Sequence, residues 1–271
     1  MAILKKNKLK VSTDLHTVES VIILHQDDTG AGRLAVEKIL VPKDKQIVLG
    51  SGENDLCWVQ VLSGVGTLET KKLTKSHILF MSFGNQKLYV ADEDSELLVC
   101  KVFDFRRFDT ATRDISKEMR IIDWQSEPVL SSEHDLRKRI YVATNHLWGT
   151  KAVKGEIIFY PKGTEAPPHK HIGAEHFQYV LSGQGCAFID NKKVVVRGGD
   201  LIYNFENEVH WFANPNNELF SFVEFFVPGE CQTIWNNDAK ACTWIPTDRN
   251  FLGTAPAREI PKHVHGEKIN I

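Results

Sequence analysis

The segment Gly163-Thr-Glu-Ala-Pro-Pro-His169-Lys-His171-Ile-Gly-Ala-Glu175-His176-Phe-Gln178-Tyr-Val-Leu-Ser-Gly183, followed by Gly199-Asp-Leu-Ile-Tyr-Asn-Phe205-Glu-Asn207-Glu-Val-His210-Trp-Phe-Ala-Asn214, decides the fold. His169 and His171 alternate along an extended run, so their imidazoles share a face. Ile-Gly-Ala-Glu turns the chain into a second run that starts at His176. The Gly198-Gly199-Asp200 turn leads later to a third, at His210. Short runs broken by turn residues are the strands of a sandwich or barrel. Neutral imidazoles held on such strands are good ligands for a divalent transition metal.

The same rhythm covers the rest of the chain. SVIIL, QIVLG, CWVQVLSG, HILFMSF and ELLVCKVF in the first half answer EIIFY, HFQYVLSG, GCAFID, DLIYNF and LFSFVEFFVP in the second. Val-Leu-Ser-Gly occurs at 61–64 and again at 180–183, each time followed by x-Gly and a lysine-rich hairpin, so the chain carries two copies of one barrel unit. Residues 1–105 are read as the first barrel and 139–230 as the second. Between them, 106–138 includes RRFDTATRDISKEMRIIDW, with polar caps at Asp109 or Thr110 and apolar residues at helical spacing, which predicts a helical linker. The proline-marked stretch 231–271 reads as an extension, with His263 and His265 as a solvent-facing pair.

With 33 basic and 35 acidic side chains, the chain has no electrostatic footprint for nucleic acid or an anionic membrane. A small-molecule partner is expected. No apolar run approaches the ~20 residues of a membrane helix, and MAILKKNKLKVSTD is too weakly apolar for a signal peptide, so a cytosolic protein is expected. The five cysteines are scattered and odd in number, which speaks against a disulfide framework.

The motif pair Gly163-x5-His169-x-His171-x4-His176-x6-Gly183 and Gly199-x5-Phe205-x-Asn207-x2-His210-x3-Asn214 resembles the two motifs of the cupin superfamily. The resemblance implies an all-β fold, two jelly-roll-like cupin barrels in tandem with a short helical linker, pairing as a homodimer. It implies metal ligands at His169, His171 and His210. At the family's glutamate position this chain has His176, with Glu175 one residue earlier. Counting back from Gly183, strand parity turns 176 inward and favours His176 as the fourth ligand, with Glu175 the lesser candidate. Matching the VLSG strings sets Gly50, Gly52 and Cys57 where His169, His171 and His176 stand, and matching the strands that follow sets Lys87 where His210 stands, so the first barrel is expected to hold no metal.

Four neutral ligands leave the ion its full double charge. Six-coordinate iron or manganese then keeps two adjacent positions for an anionic or enolisable chelator, whereas four-coordinate zinc would be full. Fe(II) is preferred, Mn(II) the alternative. Parity gives Gln178 and Phe212 the inward face, and Glu224, a carboxylate in the apolar run LFSFVEFFV, is a candidate proton-transferring group. Glu224 and Gln178 are the candidate catalytic residues. Tyr160, Tyr203, Phe188, Phe205 and Trp211 are candidates to line a pocket. The expected activity is an iron-dependent dioxygenase acting on a small acidic, phenolic or diketone-like metabolite. The alternatives are a non-oxidative metalloenzyme (isomerase, decarboxylase, or an aminohydrolase of the ureidoglycine kind, which the Glu175-His176 pair resembles) and a binding cupin without turnover.

Overall fold

The structure, a computed structural model, describes residues 2–6, 17–30, 34–81, 83–110, 119–189, 191–236 and 239–265. The chain is nearly all β and divides into two compact units: Lys8–Trp124 with Trp148–Thr150, and Met1–Asn7, Gln125–Leu147 and Lys151–Ile271. The divisions expected near 105, 138 and 230 are replaced by these.

In the second unit a nine-stranded antiparallel sheet runs in the order Ile3–Lys5, Leu201–Asn204, Glu175–Ser182, Phe220–Val227, Lys154–Tyr160, Lys138–Ala143, Pro128–Ser132, Thr243–Asn250, His263–Val264. A further sheet orders Lys192–Arg197, Gln184–Ile189, His210–Asn214, His169–Ile172 and Gln232–Trp235, with Thr164–Glu165 also paired to His210–Asn214. Side chains alternate across each strand, so a core of Ile158, Val180, Ala187, Ile202, Phe212 and Phe222 fills one part of the interior. The inward positions of the remaining part are polar, and the site lies there.

The first unit repeats the plan with a six-stranded sheet and a four-stranded one. Its interior is mostly apolar: Leu49, Cys57, Val59, Leu68, Leu79, Met81, Tyr89, Leu97 and Val99 form one buried cluster. The shared VLSG string has a backbone reason. Gly64 and Gly183 both sit at positive φ, +80° and +74°, and a Cβ on either would run into a backbone carbonyl, that of Asp94 or of Leu219.

Two expectations change. Residues 106–138 do not read as one helical connector: single 3-10 turns at Phe105–Arg107 and Trp124–Ser126 flank the strand Arg120–Asp123, and Pro128–Ser132 already belongs to the nine-stranded sheet. The amphipathic stretch 111–118 lies outside the described residues, as does His16. The stretch 231–271 is no appendage either. Its strands Gln232–Trp235, Thr243–Asn250 and His263–Val264 are built into the two sheets. His263 and His265 are buried, not solvent-facing, because main-chain pairing of Val264 with Thr243 and of His265 with Cys242 lays them against the second unit.

Candidate metal centre and cavity

The four histidines of the opening motif come together. His169 faces His210 across paired strands, and His176 arrives from the neighbouring sheet. Ring centroids lie 4.6 Å apart for His169 and His210, 4.6 Å for His176 and His210, and 4.8 Å for His171 and His176. Two triads of donor atoms meet at His210: His169, His171 and His210, and His176, His210 and Glu224.

Hydrogen bonds fix which nitrogen of each ring is available. His169 Nδ1 lies 2.8 Å from the Pro167 carbonyl oxygen and His210 Nδ1 2.9 Å from that of Glu208. A carbonyl only accepts, so both rings carry hydrogen on Nδ1 and keep a lone pair on Nε2. His171 Nδ1 has the Thr233 hydroxyl at 3.2 Å, while its Nε2 is buried without a hydrogen-bond partner. His176 Nε2 lies 3.0 Å from His210 Nε2, and its Nδ1 is the buried atom without a partner. Two nitrogens bound cis to one octahedral ion at about 2.1 Å lie about 3.0 Å apart. The orphaned Nε2 of His171 and this short nitrogen pair therefore fit a resident cation.

Burial holds all four rings in the neutral, ligating form. It lowers His169, His171 and His176 well below the usual histidine range, helped by their neighbouring imidazoles, and brings His210 to about 4. Glu175 points the other way, its carboxylate accepting from the Tyr203 hydroxyl at 2.6 Å.

Glu224 stands beside the cluster, 3.4 Å from His176 Nε2. The register places Gln178, Glu224, Glu156 and Tyr141 opposite one another on four adjacent strands, a polar row buried across the sheet. The Gln178 amide donates to Glu224 at 2.6 Å and itself accepts from the Asn204 amide at 2.9 Å. Burial, then the neighbouring Glu156, push the Glu224 carboxyl up to about 8, against the pull of the Gln178 hydrogen bond. Gln178 thus orients Glu224, and Glu224 is the member of this row that reaches the cavity.

A small cavity opens on His169 and His210. Phe212 and Tyr160 line it as expected; Phe188 and Trp211 stack on each other outside it, and Tyr203 bonds Glu175 and meets Phe205 edge to face. Sequence reasoning missed its cationic wall. Arg137, Arg139, Trp235, Cys242 and His265 contribute to the lining. Arg137 is held by Asp135, with contacts of 3.0 and 2.8 Å from Nε. Arg139 lies 3.3 Å from Glu156, its guanidinium 4.2 Å from the Trp244 ring centre. The signal that could have found the tail is its spacing: His263-Val264-His265 repeats the one-face alternation of His169-Lys170-His171.

Residues 156–226 match the cupin domain family. An uncharacterized protein of Methanocaldococcus jannaschii is 36% identical over 69 residues, 26% of this chain and 54% of that protein. The oxalate-binding protein of Thermotoga maritima is 28% identical over 67 residues, 25% of this chain and 55% of that one. The chain thus spans about half the length of the curated relatives it matches. Among solved structures, the Escherichia coli protein Ylba superposes with a TM-score of 0.64 at 17% identity, covering 88% of this chain and 93% of that one. Oxalate decarboxylase of Bacillus subtilis gives 0.60 at 12% identity, over 81% and 74%. At such identities these two likenesses speak to the fold alone.

Proposed function

We propose that the protein, whose residues 156–226 match the cupin domain family, is a metal-dependent enzyme acting on a small anionic metabolite that chelates the ion. His169, His171, His176 and His210 would hold the metal, which supplies a Lewis-acidic centre when bound. The observation that carries this reading is the orphaned, buried Nε2 of His171 beside the 3.0 Å pair of His176 and His210. The cavity next to these rings is lined by two arginines, and that wall favours an acid over a neutral substrate. Glu224 faces the same cavity with Gln178 fixing its orientation, so it is positioned to hand a proton to substrate or take one from it.

That placement favours a non-oxidative reaction, such as decarboxylation or isomerisation. The Bacillus subtilis decarboxylase of similar fold, with its Mn(II), lies in the same direction, while the oxalate-binding protein of Thermotoga maritima supports only a small acid as ligand. The iron-dependent dioxygenase rests on a different observation, the neutral donor set, which leaves a doubly charged ion for substrate oxygen and dioxygen together. Elemental analysis of protein purified without added metal, with an oxygen electrode and a panel of small hydroxy, oxo and dicarboxylic acids, separates the two. Manganese with turnover and no oxygen uptake is the expected result. Stoichiometric iron with substrate-dependent uptake would restore the dioxygenase, and the absence of any bound transition metal would end the proposal.

A further inference from the structure

The tail strand does more than close a sheet. His263 Nδ1 lies 2.9 Å from the Pro261 carbonyl and so bears its hydrogen, which makes His263 Nε2 the acceptor for the Tyr141 hydroxyl at 2.8 Å. Having donated that hydrogen, the Tyr141 oxygen accepts from Arg139 Nη1 at 3.2 Å. The same Nη1 donates to His265 Nδ1. A guanidinium cannot accept, so His265 Nδ1 must be the lone-pair nitrogen and its Nε2 must carry hydrogen. Glu156 and the Trp244 ring hold the remaining sides of Arg139. After all this, Arg139 Nε, in a side chain only 4% exposed, still has no hydrogen-bond partner.

Arg137 makes the contrast. It lines the same cavity, yet its charge is matched by Asp135 and one terminal nitrogen points to the Cys242 sulfur at 3.0 Å. Arg139 shares its carboxylate, Glu156, with Lys154. A buried N–H without an acceptor costs free energy until something supplies one.

We propose that Arg139 and His265 form a second anion subsite in the cavity, which takes an acidic group of the substrate other than the one on the metal. The substrate class is therefore a small diacid with a chelating end, a hydroxy or oxo dicarboxylate. His265 contributes twice, as a ring N–H on the cavity wall and as the acceptor that holds Arg139 in place. The C-terminal strand is thus a specificity element of the site. This inference rests on the proposed metal-bound acid substrate, but it adds a prediction that the metal reading does not make.

The test uses a matched pair, lactate and malate, which differ by one carboxylate. Titration calorimetry on the full-length protein, both manganese-loaded and metal-free, reads the ratio of their affinities. Malate is expected to bind about tenfold or more tightly than lactate, the worth of one charge-assisted bidentate contact. His265→Leu should abolish that ratio while leaving lactate affinity and manganese content within twofold. His265→Asn, which can accept from Arg139 and still donate, should keep most of it. Equal binding of the two acids by the wild type overturns the subsite without any variant. So does a His265→Leu protein that keeps the full ratio, or one that loses both acids alike. A protein that takes up no manganese, yet prefers malate, would sink the metal reading and leave the subsite standing.

Discussion

The two units are one design carried out twice, once in hydrocarbon and once in polar chemistry. Strand register matches them position by position. The row Gln178, Glu224, Glu156, Tyr141 in the second unit corresponds to Val59, Val99, Glu37, Ile22 in the first. One strand step away, the row Asn204, His176, Phe226 corresponds to Met81, Cys57, Lys101. His210 opposite His169 corresponds to Lys87 opposite Leu49, one residue earlier than the Gly50 suggested by matching the sequences. The backbone tolerates both fillings. What differs is whether inward side chains pack against each other or leave lone pairs and protons facing a cavity. A pleated barrel therefore fixes only where side chains point, and three substitutions in each of these two rows separate a packed interior from a polar one.

The comparison can be broken hardest at His210, the member common to both donor triads. His210→Ala should cut bound metal, read by elemental analysis after dialysis, to below about a tenth of wild type, since losing a ligand costs tenfold or more in affinity. Lys87→Ala, its counterpart in the first unit, should leave metal content unchanged. A His210→Ala protein with full metal would show that the triads do not bind it.

Acid should next tell the units apart. In metal-free protein, buried imidazoles of the second unit have folded pKa values below their unfolded value of about 6.5, His210 at about 4. Through these rings the unfolded chain binds more protons than the folded one below about pH 6.5, and four such imidazoles outweigh the opposite contribution of the one raised carboxyl, Glu224, so stability falls as pH drops towards about 4. His210 alone would contribute a loss on the order of 3 kcal/mol. Urea unfolding at pH 7.5 and 4.5, followed by tryptophan substitutions specific to each unit, should show the second unit losing more. Equal losses in both would mean that the imidazoles do not set the acid response.

A smaller effect comes from importing polarity into the hydrocarbon barrel. Val59→Gln puts the counterpart of Gln178 where no counterpart of Glu224 awaits it, and an unpaired buried amide should cost about 2 kcal/mol in a urea melt. The smallest prediction concerns what the units share. Gly64→Ala and Gly183→Ala should each cost at least about 1–2 kcal/mol, because both force an L side chain into the left-handed region and press its Cβ on a backbone carbonyl. Unequal penalties there would mean that the repeat is less faithful than its registers imply.

Much of this was legible in the sequence because strands have a period of two. That period reads out the β rhythm, the duplication and the shared inward face of His169, His171, Gln178 and Phe212. It also separates Glu175 from His176, which point to opposite faces here. The cationic wall was not legible. Arg137 and Arg139 sit in the charged run Arg-Lys-Arg-Ile-Tyr-Val, which reads like an exposed edge, yet flanking strands bury both. His265 follows a proline-marked stretch whose pairing with Thr243–Asn250 depends on partners distant in the chain. Local pattern fixes a side chain's direction, whereas the company it keeps is set by non-local pairing.

The nine-stranded sheet is bounded on one side by Ile3–Lys5 and on the other by His263–Val264. During synthesis, then, the sheet that carries Glu224 cannot gain its last strand until residue 264 has left the ribosome. The residues of the first unit, 8–124 and 148–150, are all made more than a hundred residues earlier. At about 5–20 residues per second that interval lasts several seconds, during which the nascent second half has unpaired strand edges while the first unit is free to fold. Translation order thus sets an assembly order, with the half that carries the histidine cluster completed last.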